Sequence, residues 1–162
     1  LALQIHDRDA HDDIVATLLR VGAPERTVFH CFSGDAVLAA TLAENGWYAS
    51  FAGTVTFKNA TGLREALEVM PRQLLLVETD APFLTPHPFR GRPNGPYLMP
   101  HTVRAMADYL GTDVSMLCAL ISSNTEQVYG TWDAQPVVAP GDPWAGPADV
   151  PGAPHDLGGA LP

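Results

Sequence analysis

The sequence predicts an α/β domain built on a parallel sheet, and three observations lead there. Short apolar runs alternate with helix-period segments at spacings of 20 to 27 residues, which describes consecutive βαβ units. Each apolar run stops in polar, chemistry-bearing residues, as strands do when their carboxyl ends open onto one functional face. The length of 162 residues and a hydrophobic content of 46% fit a globular domain with a single core.

The elements follow in order. Leu1–Ile5 reads as the first strand, and Asp12–Arg20 carries the first helical pattern. Thr27–Phe29 is the second strand, followed by the helical segment Asp35–Glu44, closed by Gly46. Trp47–Phe51 is the third strand, and Leu63–Met70 the third helix, with Asn59 or Thr61 as its expected cap. The run Leu74-Leu75-Leu76-Val77 lacks polar alternation, as a strand covered on both faces does. Pro100–Leu110 places proline in a first helical turn and Gly111 just past the end. Val114–Tyr129 continues helical, with a break expected near Asn124. Asp133–Pro162 holds seven prolines and five glycines and no hydrophobic period. Such a segment buries too little to offset its ordering entropy, so a domain over 1–130 and a disordered tail over 131–162 are expected.

Charge narrows the function classes. Eighteen acidic residues against nine basic ones leave −9 overall; four aspartates in the last thirty residues, with no Lys or Arg there, leave −5 for residues 1–132. The chain therefore lacks the basic footprint that supplies most tight nucleic-acid affinity. Bound divalent ions would add positive charge locally, so a nucleic-acid enzyme stays open. Two cysteines, Cys31 and Cys118, build neither a disulfide framework nor a zinc ribbon, which points to a reducing, cytoplasmic setting. No apolar run approaches the roughly 18 residues of a membrane-spanning helix. The first residue is Leu1 and no basic stretch leads into an apolar signal core, so the expectation is a processed front or a start inside a larger protein.

The strand ends carry the candidate chemistry. His6, His30 and Asp80 close three of the four strands and are expected to converge on one rim. Two imidazoles and a carboxylate suit a divalent ion such as Zn²⁺ or Mn²⁺; singly, each residue reads equally as a cap partner or a satisfied core group. Strand alternation points Glu78 the same way as Asp80, and Arg8 the same way as His6. Glu78 then either supports a ligand imidazole from behind, with Arg8 beside it, or simply pairs with Arg8. Lys58, Arg90, Arg92 and Asn94 lie near the loop beyond Asp80, and the three cations are the candidates for gripping an anionic group. Ser33, Ser50 and Cys31 lack a nucleophile's sequence setting, and a packing role is expected for Cys31. His87 and His101 read as solvated or capping residues, and His11 and His155 as solvent-facing.

Five stretches in order carry a family likeness: Ile5–Ala10, His30–Gly34, Phe51–Asn59, Leu75–Pro82 and Arg90-Gly91 with Asn94. Over residues 1 to about 130 the chain resembles the TatD family of metal-dependent deoxyribonucleases, amidohydrolase-like TIM barrels. The resemblance implies an eight-stranded barrel of which this chain is the C-terminal half, about four βα units, N-terminally truncated. It implies His6 and His30 as metal ligands, and Asp80 as a ligand or as proton acceptor for the metal-bound water. It also implies one or two divalent ions (Mg²⁺, Mn²⁺ or Zn²⁺), single-stranded or end-frayed DNA as substrate, and hydrolysis that trims strand ends. Lys58, Arg90, Arg92 and Asn94 would meet substrate phosphates. The family's first-strand His-x-His and mid-barrel Glu have no counterpart here, and Gly95 stands where an acidic residue is usual. No membrane and no protein partner beyond the front half are expected. The rival readings are an amidohydrolase-like hydrolase of small esters or amides, and a catalytically inactive fragment.

Overall fold

Four parallel strands lie side by side in chain order in the computed structural model, which describes residues 1–131. They are β1 (Leu3–His6), β2 (Thr27–His30), β3 (Tyr48–Phe51) and β4 (Leu75–Val77), and β1 and β4 form the sheet edges among the described residues. Helices α1 (His11–Val21), α2 (Ala36–Glu44) and α3 (Thr61–Val69) connect them; α4 (Met99–Leu110) and α5 (Val114–Tyr129) follow. This is the expected α/β class, and each strand is followed by its helix as the spacing required.

The sheet sorts its side chains by alternation. Phe29, Ala49, Phe51 and Leu75 join Leu42, Leu67, Met106 and Leu117 of the helices in the main core. Val28, Tyr48 and Leu76, one position over, meet Val128 of α5 in a second cluster. Fully burying one such large side chain contributes about 1.5–3 kcal/mol. The α5 end is also tied to the sheet: Gln4 Nε2 donates to the Tyr129 hydroxyl at 2.7 Å, and Arg26 donates to the Val128 carbonyl at 3.3 Å.

Three local expectations need correction. First, α5 runs unbroken through Asn124, because that amide does not compete for its own helix's backbone. Its Nδ2 donates outward, to the carbonyls of Arg72 and Leu75 at 2.9 Å each, docking the helix on β4. Second, α3 starts without a side-chain cap; Ala60 holds the cap position. Third, β1 extends through His6, because His6 takes its place in register beside His30. The tail expected over 131–162 lies, past Thr131, outside the described residues. No described helix is long and apolar enough to cross a membrane.

Candidate metal centre

The register sets the site. Leu3 pairs with Thr27 and His6 with His30, so both imidazoles leave the sheet at the same level, at the carboxyl ends of β1 and β2. Their rings meet, with His6 Nδ1 3.0 Å from His30 Nε2. On its other side His30 Nδ1 lies 2.9 Å from Glu78 Oε1. A carboxylate only accepts, so Nδ1 carries a proton toward Glu78, and in the neutral ring that tautomer leaves the Nε2 lone pair toward His6. Glu78 is itself placed by the sheet, its N–H donating to the Phe51 carbonyl at 3.0 Å.

One donor atom from each of His30, Glu78 and Asp80 lies within 4.8 Å of the others. The compact trio is thus His30, Glu78 and Asp80, with His6 joined through His30, where His6, His30 and Asp80 were expected to form it. The reason is topological: β1 is an edge strand, one place further from β4 than β2 is. Glu78 consequently pairs with His30 and not with Arg8, which is exposed.

The chain turns sharply after these strands. Asp9, Cys31 and Asp80 all sit at positive φ, 56°, 46° and 53°, a region costly for residues with a Cβ and least so for Asp. Around Asp80 the turn is pinned by Asn94, 8% exposed. Asn94 Nδ2 donates to the carbonyls of Thr79 and Phe83 at 2.7 Å each, its Oδ1 accepts from Gly95, and its backbone N–H donates to Pro82. The expected substrate contact at Asn94 is therefore corrected: the amide is buried and committed to holding the Asp80 turn. Gly53, two residues past β3, lets the same loop pass close by, since a Cβ there would lie 2.1 Å from the Leu84 carbonyl oxygen.

His6, His30 and Asp80 line a cavity of about 610 Å³ together with Arg8, His11, Cys31, Thr54 and Phe83. Cys31 is half-buried in the turn, and not simply packed as expected. Burial, with Glu78 and Asp80 nearby, pushes its thiol up to about 11 against the opposing pull of Arg8. Beside this cavity a second cleft of about 520 Å³ is lined by His11, Ser33, Asp35, Thr54, Phe57 and Asn59, among others.

The expected phosphate-gripping cations line neither the cavity nor the cleft. The Arg90 guanidinium carbon lies 3.8 Å from the centre of the Phe57 ring, the residue before Lys58 in the chain. Arg64 braces this stretch, donating to the carbonyls of Phe57 and Lys58 at 2.8 and 3.3 Å. Arg92 lies 6.0 Å from Phe89, whose ring also takes His101 edge-on at 4.9 Å. Lys58, Arg90 and Arg92 are all exposed.

One pair escaped the sequence reading. His11, expected to face solvent, instead donates from Nδ1 to Asp7 Oδ2. The available signal was spacing: Asp7 and His11 are four apart across the start of α1, and Asp7 also accepts from the Ala10 N–H at 3.3 Å.

The donor set fits a divalent cation. Two atoms bound to one ion at about 2.1 Å lie at most about 4.2 Å apart, and the two imidazole nitrogens fall inside that limit. The hydrogen bond from His30 to a carboxylate behind it is the arrangement that orients metal-binding imidazoles.

Residues 1–130 match the family model of TatD related DNase. The chain is 47% identical over 128 residues to the uncharacterized metal-dependent hydrolase TatD of Mycobacterium tuberculosis, covering 79% of this chain and 48% of that protein. It is 37% identical over 130 residues to the uncharacterized metal-dependent hydrolase YabD of Bacillus subtilis, covering 80% and 51%. The chain thus spans about half the length of the curated relatives it matches. Among solved structures it superposes on the TatD homolog YJJV of Escherichia coli with a TM-score of 0.76 at 27% identity, over 81% of this chain and 51% of that one. The TatD family protein of Entamoeba histolytica, at 17% identity, shares the fold with a TM-score of 0.72. The four βα units are those of a TatD-type TIM barrel, and the chain belongs to the family of TatD-related DNases.

Proposed function

We propose that this chain carries the C-terminal half of a divalent-metal site that hydrolyses phosphodiester bonds of DNA, trimming single-stranded or frayed ends in the cytoplasm. The relay His6–His30–Glu78, closed by Asp80, is the observation that carries the reading. When bound, a divalent ion lowers the pKa of water toward neutrality and polarises a phosphoryl oxygen. Two imidazole nitrogens favour Mn²⁺ or Zn²⁺ over Mg²⁺ among the candidate ions.

The residues divide the remaining work. Glu78 holds the His30 ring so that Nε2 faces the site, and His6 meets it from the neighbouring strand. Asp80, presented by its pinned turn, accepts the proton that the attacking water loses. Lys58, next to Phe57 in the chain, Arg90 over the Phe57 ring and Arg92 near Phe89 are exposed cations that would attract phosphates, which supports a polyanionic substrate over a neutral one. The two free cysteines support a reducing compartment.

The test uses the protein expressed from its complete reading frame, stripped with EDTA and reloaded with Mn²⁺, Mg²⁺ or Zn²⁺. End-labelled single-stranded and frayed duplex oligonucleotides are expected to shorten progressively only after reloading. Metal-dependent turnover of a p-nitrophenyl carboxylate ester or an anilide with intact DNA would replace this reading by the small-ester one. Metal binding with no turnover of any substrate would establish an inactive chain.

A further inference from the structure

We propose that Asp7 and His11 form a proton-transfer pair that serves the leaving oxygen of the phosphate ester, a proposal that rests on the phosphodiesterase reading above. The Asp7 side chain is 5% exposed and accepts from the His11 ring, while the His11 side chain is 36% exposed. With Nδ1 committed to Asp7, Nε2 is the atom the imidazole offers outward. The buried carboxylate orients the ring and sets which nitrogen carries the fixed proton, as in other His–carboxylate pairs.

Place decides the role. His11 lines both the cavity that holds His6, His30 and Asp80 and the cleft that opens toward Phe57. His11, Ser33, Thr54 and Leu63 are the residues common to the two, and His11 is the one among them with an imidazole, the side chain most often used to hand over a proton. A nucleic-acid strand whose scissile phosphate lies in the cavity and whose neighbouring phosphates lie toward Lys58 and Arg90 crosses from one to the other at His11. The bond to be broken lies at that threshold.

The step balances. The water oxygen forms a bond to phosphorus and its proton passes to Asp80. The bond from phosphorus to the leaving sugar oxygen breaks with its electron pair staying on that oxygen. The proton on His11 Nε2 moves to it, giving a free hydroxyl; Asp80 then releases its proton to solvent and His11 takes one back, restoring both groups.

A proton donor matters only when the leaving group needs a proton, and that selectivity is what a merely structural role would not produce. Wild type, His11→Gln and Asp7→Asn are compared, as Mn²⁺-loaded protein from the complete reading frame, on oligothymidylate and on the p-nitrophenyl ester of thymidine 5′-phosphate. His11→Gln is expected to lose about 100-fold or more on the oligonucleotide, the usual scale for a general acid, and less than about threefold on the p-nitrophenyl ester. Asp7→Asn should show the same selectivity with a smaller loss, about tenfold. Ring-¹⁵N NMR gives an independent readout: the low-field proton on His11 Nδ1 should be present in wild type and lost in Asp7→Asn. Equal losses on both esters, or no loss, or a His11 ring unaffected by Asp7→Asn, overturns the pair. A wild type that cleaves neither ester overturns the phosphodiesterase reading itself, and the proposal with it.

Discussion

His6 and His30 are register partners on adjacent strands, and their rings meet with the Nδ1 of one 3.0 Å from the Nε2 of the other. The contact is anchored from behind by Glu78, 2.9 Å from His30 Nδ1. Without that carboxylate the His30 ring loses both its orientation and its tautomer. Glu78→Ala should therefore weaken Mn²⁺ binding by about 10–100-fold. Isothermal titration of the metal-free protein measures this; an unchanged affinity would show that Glu78 does not set the ring.

Asn94 separates a structural from a substrate-binding role. Asn94→Ala leaves the carbonyls of Thr79 and Phe83 without their donor, and should destabilise the fold by about 1–3 kcal/mol. Thermal and urea unfolding read that loss directly. A side chain that merely touched substrate would leave stability unchanged and raise only KM.

Gly53 is required for space. A Cβ at this position would sit 2.1 Å from the Leu84 carbonyl oxygen and 2.9 Å from the Pro86 nitrogen, both of them backbone. Gly53→Ala should therefore push the loop away from the site and cost about 1–3 kcal/mol. A melting temperature equal to that of wild type would show that the loop yields freely.

The Cys31 thiol is pushed up to about 11, first by burial and then by Glu78 and Asp80. A raised value favours the neutral thiol, and the thiolate is the reacting form. At pH 8 only about one molecule in a thousand carries the thiolate. In metal-free Cys118→Ser protein, reaction with a disulfide reagent should therefore be slow at pH 8, rise about tenfold per unit, and level off only near 11. A plateau below pH 9 would contradict the buried setting.

The βα alternation was legible because strands and helices bury side chains with different periods, and the period survives in the sequence alone. So did the polar strand ends: parallel strands point all their carboxyl termini one way, which placed His6, His30 and Asp80 on one rim without any contact being known. Which of them touch was decided elsewhere. His30 and Glu78 are 48 positions apart, and only the path of the sheet from β2 to β4 brings them within hydrogen-bond distance. Asn94 and Asn124 look like loop and helix-breaking residues in the sequence; burial made one a clamp on the Asp80 turn and the other the dock of α5. His11 looked solvent-facing until the turn after β1 folded Asp7 beneath it. The sequence by itself determined the order of the units, the level of the site and the residue types present there. Tertiary structure alone decided the pairings, because a polar side chain's partner is set by where distant backbone passes, and local periodicity carries no record of that.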